Sequence, residues 1–140
     1  MKIEILCIGN TPRPHEVRWI DDYLERAGKF ATVRFHRIKD RDIETKISKQ
    51  THRIVLDEKG KLHTTEELKN LFARIERTGK KSVTFILGGA YGLPKETIAS
   101  ADTLFSLTPL TLPHRLALLV LCEQVYRVLS WRAGAPYHHE

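Results

Sequence analysis

Near its end the chain contains a helix that has no polar side over its first two turns. All seven residues from Leu116 to Cys122 are apolar, and the pattern predicts that the helix continues to Trp131. A helix that is apolar all round must be covered all round. The chain's own sheet can cover one side, so the pattern predicts that a second copy covers another and that the protein is a homodimer.

Five short apolar segments alternate with helical patterns along the rest of the chain. This alternation predicts βαβ units, and therefore an α/β fold with a parallel sheet and helices on both faces. A capping box at Thr64 and Glu67 opens the third helix, which Gly79 ends, and Gly60 is predicted to lie in a turn. The predicted strands are Lys2–Ile8, Ala31–Ile38, His52–Leu56, Ser82–Leu87 and Thr103–Leu107, and the other helices are His15–Ala27, Asp40–Gln50 and Pro94–Ala101.

Size and composition predict one cytoplasmic domain spanning residues 1–140. The mass is 16.1 kDa, with 29% charged and 41% apolar residues. No apolar stretch approaches the ~20 residues that a membrane-spanning helix needs, and the first residues show no signal-peptide pattern. Cys7 and Cys122 stand among apolar residues without CxxC spacing, which predicts buried free thiols.

The net charge of +6 and the pI of about 9.5 favour a polyanionic partner. Cationic side chains bind nucleic acids because they neutralise phosphates and release counterions. A solvated basic face is the alternative explanation. The excess of basic residues is concentrated between residues 34 and 53, at Arg34, Arg37, Lys39, Arg41, Lys46, Lys49 and Arg53.

Three of the predicted strands end in segments that suit a ligand site. In an open parallel sheet, ligands bind beyond the carboxyl ends of the strands. The segments are Leu56-Asp57, the Gly-Gly-Ala-Tyr-Gly run at 88–92, and an apolar loop at 107–112. Adjacent glycines let a flat ligand approach the backbone, and the apolar loop suits an adenine-like ring. The glycines are not a phosphate-binding P-loop, because no Lys-Ser or Lys-Thr follows them, and a tight strand-to-helix turn is the alternative.

Polar residues also flank the apolar helix. His114 follows Pro113 at its start, where the helix dipole favours an anion or a substrate, although a histidine that only satisfies the helix start is equally compatible. Glu123 and Arg127 have the i,i+4 spacing typical of a salt bridge. The tail at 137–140 reads Tyr-His-His-Glu, and without a second ligand cluster it does not predict a metal site.

Taken together, these segments resemble the ribosomal RNA large subunit methyltransferase H family of SPOUT enzymes. The resemblance runs the full length of the chain. It implies an α/β knot with a C-terminal trefoil, and a homodimer that transfers a methyl group from S-adenosylmethionine to N3 of a pseudouridine in 23S rRNA of the assembled ribosome. The matching segments are Leu56-Asp57, the run at 88–93, Leu107 to His114, the Glu-Gln-Val-Tyr-Arg run at 123–127, and Pro136-Tyr137-His138.

The resemblance also implies roles for individual residues. Tyr137 and His138 are expected to be catalytic, closing over the cofactor site of the partner protomer, with Tyr137 positioning the base and His138 managing the N3 proton or anion. His114, Arg115 and Arg127 are expected to bind the substrate, and no metal is needed. The cofactor pocket is expected at Leu56, Gly88, Gly89, Leu107, Thr108, Pro109, Leu110, Thr111 and Leu112.

The chain departs from the family pattern at three places. Leu118 stands where an arginine is usual, His139 stands where a basic Arg is common, and the region after the second strand is shorter than typical. Two other functions compete with the ribosomal one. A non-catalytic RNA-binding module would bind RNA without S-adenosylmethionine, and a SPOUT methyltransferase of another specificity would modify tRNA.

Overall fold

The chain folds around a five-stranded parallel sheet with the strand order β2-β1-β4-β3-β5, as the alternating pattern predicts. The computed structural model describes residues 1–9, 14–89 and 91–139, so residues 10–13, Ala90 and Glu140 lie outside the described residues. The strands are β1 (Lys2–Ile8), β2 (Thr32–Ile38), β3 (Thr51–Leu62), β4 (Ser82–Leu87) and β5 (Thr103–Ser106). The helices are α1 (Pro14–Ala27), α2 (Ile43–Lys46), α3 (Thr65–Arg77), α4 (Lys95–Ala99) and α5 (His114–Arg132), with a 3₁₀ turn at Asp40–Asp42.

The two faces of the sheet are covered unequally. The long helices α1, α3 and α5 pack on one face, where Ile5 and Phe85 are fully buried. The opposite face is smaller, and Leu6 and Ile86 are buried there beneath the short segments around α2 and α4. Successive residues of β1 and β4 point to opposite faces and both faces are covered, which explains why these strands read as continuous apolar runs.

The start of α3 confirms the predicted capping box. The Thr64 hydroxyl accepts a hydrogen bond from the Glu67 backbone N–H at 3.1 Å, and the Glu67 carboxylate accepts one from the Thr64 backbone N–H at 2.8 Å. Each bond satisfies a backbone donor that has no partner within the helix. Local sequence therefore determines where this helix begins.

The predicted helix at Asp40–Gln50 is wrong in length. Only the 3₁₀ turn and the four-residue α2 form, and the chain is extended again at Ile47. Ile43 and Ile47 are both buried on the smaller face of the sheet. Two apolar anchors do not compensate for the cost of nucleating a longer helix.

The predicted turn at Gly60 is also wrong, because β3 continues through it to Leu62. Its pairing with β5 shifts register, so that Leu56 and Lys61 both face Phe105. A Cβ atom at Gly60 would lie 2.7 Å from the backbone carbon of Leu104. The glycine is therefore needed for the close approach of two strands at a bulge.

Helix α5 receives more cover from its own chain than its sequence predicts. Leu118 and Leu121 are buried in the main core, and α1 and α3 pack along the helix in addition to the sheet. Leu116 keeps 44% of its surface exposed. No helix in the described part of the chain is long and apolar enough to cross a membrane.

Both cysteines are free and buried, as predicted. Burial raises the pKa of each thiol, that of Cys122 to about 12, so little thiolate exists near neutral pH. We expect Ellman's reagent to modify neither thiol on the time scale of minutes in the native protein, and both at once in denaturant. Rapid modification of either thiol before unfolding, followed by mass spectrometry, would contradict this burial.

Candidate active site

A cleft of 640 Å³ opens at the carboxyl ends of β4 and β5 and beside residues 56–58 of β3, where β3 has left its pairing with β4. Its walls are these parts of the strands, the loop at 107–113, and the first turn of α5 at His114 and Ala117. Pro109 is exposed and does not line it. The other eight residues that the sequence assigned to cofactor binding do, namely Leu56, Gly88, Gly89, Leu107, Thr108, Leu110, Thr111 and Leu112.

The glycine turn forms the back of the cleft. The Gly92 N–H donates a hydrogen bond to the Gly89 carbonyl at 3.1 Å, and Gly92 has a φ of +77°, which favours glycine. A Cβ atom at Gly88 would lie 2.8 Å from the Gly92 carbonyl carbon, and one at Gly89 would lie 2.7 Å from the Ile8 carbonyl oxygen. The run is thus both a tight turn and a cleft wall made of backbone. A side chain at Gly89 would strike the end of β1 before it filled the cleft.

The loop at 107–113 is held in shape by its own hydroxyl groups. The Ser106 hydroxyl donates to the Thr108 carbonyl at 3.1 Å, and the Thr108 hydroxyl accepts from the Leu110 N–H at 3.2 Å. The apolar side chains of Leu107 and Leu112 remain on the cleft wall. The loop thus offers an apolar surface beside backbone donors and acceptors, which suits a flat heterocycle.

His114 lines this cleft and also carries a buried polar atom without a partner. Its ring Nε2 is buried, and no hydrogen-bond partner for it is found among the described residues. A buried nitrogen without a partner costs about 1–3 kcal/mol. Arg115 is the other predicted substrate contact at this end of α5, but it does not line the cleft. Its Nε is also buried, with no hydrogen-bond partner among the described residues.

The tail is held against the second half of α5. The Tyr137 hydroxyl donates to the Glu123 carboxylate at 3.0 Å, and the Arg127 guanidinium forms the predicted salt bridge with Glu123 at 2.6 Å. Arg127 also donates to His138 Nδ1 at 3.2 Å, and the His138 ring stacks on Trp131 with centroids 4.1 Å apart. Burial, followed by the contact with Glu123, raises the pKa of Tyr137, so the phenol stays protonated.

The structure brings Arg127, Tyr137 and His138 together on the second half of α5, and none of the three lines the cleft. Trp131, on which His138 stacks, lies fourteen residues after Ala117 on the same helix. At 1.5 Å per residue this separation is about 21 Å. The sequence identified the pair Glu123 and Arg127 but missed Trp131 as the platform of the tail, although its position eight residues after Glu123 on the same side of a helix is a usable signal.

The described residues 1–9, 14–89 and 91–139 contain no group of three His, Cys, Asp or Glu side chains placed to hold a metal ion.

Leu118, which stands where the family pattern has an arginine, is only 2% exposed and belongs to the core. This position therefore packs the helix against the protein.

Comparison with known proteins agrees with this geometry. A family model described as "Predicted SPOUT methyltransferase" matches residues 1–138. A protein named "Ribosomal RNA large subunit methyltransferase H" from Thermus thermophilus is 38% identical over 138 residues, covering 99% of this chain and 98% of the relative. The protein of that name from Bacillus cereus is 34% identical over 158 aligned positions, covering 99% of each. The alignment is longer than the 140 residues of this chain, so the Bacillus relative carries residues that this chain lacks.

Solved structures share the fold at low sequence identity. A "probable methylase family protein" from Haemophilus influenzae has a TM-score of 0.63 at 9% identity, covering 99% of this chain and 70% of that one. A "Probable Methyltransferase" from Bordetella pertussis has a TM-score of 0.58 at 13% identity, covering 91% and 95%. With the full-length family match and the relatives above 30% identity, the chain belongs to the SPOUT methyltransferase family, in the group of ribosomal RNA large subunit methyltransferase H proteins.

Proposed function

We propose that this protein transfers the methyl group of S-adenosylmethionine to N3 of a pseudouridine in 23S rRNA of the assembled ribosome. The observation that carries this proposal is the convergence of eight predicted cofactor residues on one cleft, in a chain that aligns end to end with relatives named for methyl transfer to large-subunit rRNA. Cofactor identity, the N3 target and the ribosomal substrate form one hypothesis, and one assay tests them together.

The residues of the cleft fit S-adenosylmethionine. A volume of 640 Å³ lies within the range of about 300–1,000 Å³ that small-molecule sites occupy. Leu107 and Leu112 suit the adenine ring, and the glycine turn lets the ligand approach the backbone. When bound, the cofactor supplies a methyl group already activated by its sulfonium.

The protein must align the two reactants and control the proton on N3. Holding two reactants in line supplies about 7 kcal/mol or more in well-oriented systems. N3 of pseudouridine is an imide nitrogen that loses its proton as it is methylated, so that proton must pass to a base, which can be water, and a hydrogen-bond donor can stabilise the anion that remains. Arg127 can only donate, so His138 Nδ1 accepts in their contact and the neutral ring carries its proton on Nε2. We infer that His138 donates to the oxygen beside N3, and that Tyr137 positions the base.

We propose that the protein acts as a homodimer in which the tail serves the cleft of the partner. Support comes from the rise of about 21 Å along α5 between Ala117, which lines the cleft, and Trp131, on which His138 stacks. Gln124 lies midway between Ala117 and Trp131 on that helix. A two-fold axis near Gln124, with the two α5 helices antiparallel, would therefore place each tail beside the other protomer's cleft. Leu110 and Leu116, which are 70% and 44% exposed near the cleft, supply apolar surface for that contact.

We further propose that the end of the chain threads a trefoil knot. After β4 the chain passes over the smaller face through α4 to reach the edge strand β5, and α5 then packs on the opposite face against α1 and α3. The loop at 107–113 therefore runs round the ends of β3 and β4, where it closes the cleft. Threading at this place is consistent with a cofactor site built from the crossing loops.

The experiment is methyl transfer to ribosomes. We expect labelled S-adenosylmethionine to methylate ribosomes from a strain that lacks this modification, and mass spectrometry to place the label on a pseudouridine of 23S rRNA. Ribosomes that already carry the modification are the control and should accept no label. Methylation of tRNA in place of ribosomes would identify the other SPOUT specificity. RNA binding without any binding of S-adenosylmethionine would identify a non-catalytic module.

A further inference from the structure

A second groove lies beside the cleft, across the glycine turn. It has a volume of 480 Å³ and opens at the carboxyl ends of β1 and β2, with Ile8 and Ile38 at its base. Gly89 and Gly92 line both this groove and the cleft. The wall between the two spaces therefore carries no side chain at these positions, and an extended polymer can cross it.

The walls of this groove carry an unusual combination of side chains. Tyr91, in the glycine turn, is fully exposed at 104% of its reference surface. Lys39 and Arg41, which follow β2, line the same groove and are exposed. The acidic Asp40 lies between them, so the charge of this segment at neutral pH is positive. We call Lys39, Arg41 and Tyr91 the basic groove.

An exposed aromatic ring beside two cations matches the chemistry of a single-stranded nucleic acid. A nucleobase stacks on an aromatic face whatever its identity, and the phosphates that flank it bind to cationic side chains. Burying the Tyr91 ring under a base removes apolar surface from water, and displacing counterions from the phosphates adds a favourable, salt-dependent contribution. The basic groove also explains part of the positive charge that is concentrated between residues 34 and 53.

We propose that the basic groove binds the RNA strand next to the target nucleotide, with one neighbouring base stacked on Tyr91 and its phosphates on Lys39 and Arg41. This inference rests on the proposed function, because it assumes that the target nucleotide itself enters the cleft. The strand crosses the glycine turn at Gly89 and Gly92. The groove thus selects a target whose flanking nucleotide is unpaired and can leave its stack.

The test compares two groove variants with matched controls. Tyr91→Ala removes the ring, and Tyr91→Phe keeps it. The double variant Lys39→Gln, Arg41→Gln removes two positive charges from the groove. The double variant Arg77→Gln, Lys81→Gln removes the same charge from exposed positions at the opposite, amino edge of the sheet. The probe is a fluorescein-labelled oligouridylate of roughly ten nucleotides, within the ~4–16 nucleotides that single-stranded sites span.

We expect Tyr91→Ala to weaken binding of the probe about tenfold, while Tyr91→Phe binds like the wild type. The Lys39→Gln, Arg41→Gln variant should also bind more weakly. Each phosphate contact to a single strand contributes about 0.7 to the magnitude of the slope of log affinity against log salt, so the loss of two contacts should lower that magnitude by about 1.4. Both groove variants should raise the KM for ribosomes and leave the affinity for S-adenosylmethionine unchanged.

Equal effects of the groove and control variants on probe binding would overturn the proposal. A change in sedimentation of Tyr91→Ala, with no change in RNA affinity, would instead assign the groove to contact between copies of the chain and would also overturn it. The probe assay contains no cofactor and no ribosome. Absence of methyl transfer by the wild type would therefore count against the proposed function, while the oligonucleotide data would still decide the basic groove.

Discussion

Protein that lacks residues 137–140 is expected to lose methyl transfer by at least about a hundredfold, since a positioned group that handles a proton contributes about 10²–10⁴ in rate. The tail contacts α5 through Glu123 and Trp131, neither of which lines the cleft, so its removal leaves the cleft walls intact. Cofactor affinity should therefore fall much less than activity. Single-turnover methylation of ribosomes and calorimetry with S-adenosylmethionine measure the two quantities separately.

Mixed dimers show whether the tail acts on its own cleft or on its partner's. One protomer lacks residues 137–140, and the other keeps its tail but carries a blocked cleft. If the tail acts in trans, the intact cleft of the tailless protomer is completed by its partner, and up to half of the wild-type activity returns. A homodimer in which both protomers carry the same defect should be inactive. Inactive heterodimers of verified composition would show that the tail acts on the cleft of its own chain. Sedimentation of the wild-type protein as a monomer at micromolar concentration would contradict the proposed dimer.

Ala117→Phe is expected to block the cleft and to weaken binding of S-adenosylmethionine by about fivefold to over a hundredfold. Ala117 lines the cleft from the first turn of α5, so a ring added there enters the space proposed for the cofactor. Forcing ligand and ring to share that volume costs about 1–3 kcal/mol or more, which is about fivefold to over a hundredfold in affinity. Calorimetry measures the change directly.

The matched control is Ala117→Ser, which should bind the cofactor nearly as well as the wild type. Gly89 is a less suitable position, because a Cβ atom there would lie 2.7 Å from the Ile8 carbonyl oxygen and would strain the turn itself. Thermal unfolding verifies that Ala117→Phe remains folded. Unchanged affinity in a folded Ala117→Phe protein would move the cofactor site to another part of the molecule.

The sequence was sufficient for features that depend on neighbouring residues or on simple periodicity. The capping box of Thr64 and Glu67 determined the start of α3, and the apolar runs determined the five strands. The carboxyl ends of parallel strands lie at one edge of a sheet, so the segments at Leu56, at 88–89 and at 107–112 converge on one cleft, as the sequence predicted. The dimer, the knot and the catalytic role of the tail remain predictions.

Other features depend on contacts between parts of the chain that are distant in sequence. Gly60 resembles a turn residue, but the backbone of Leu104 determines that β3 continues through it as a bulge. The region at 40–50 resembles a helix, but only Ile43 and Ile47 find a surface to pack on, so a single turn forms. Local sequence patterns do not show which distant part of the chain will pack against a segment. At Gly60 and in the region at 40–50, that packing determines the secondary structure that forms.

In the candidate site, too, some features follow from local sequence and others depend on tertiary contacts. Residue types and their order along the chain were enough to predict a parallel α/β fold, a cleft at three strand ends and the salt bridge of Glu123 with Arg127. Only the tertiary structure decided that the tail stacks on Trp131, and that Tyr91 stands exposed between the cleft and two cations. A helix fixes the spacing of its own residues through local hydrogen bonds, whereas the path of a tail or a loop depends on long-range packing that no short stretch of sequence encodes.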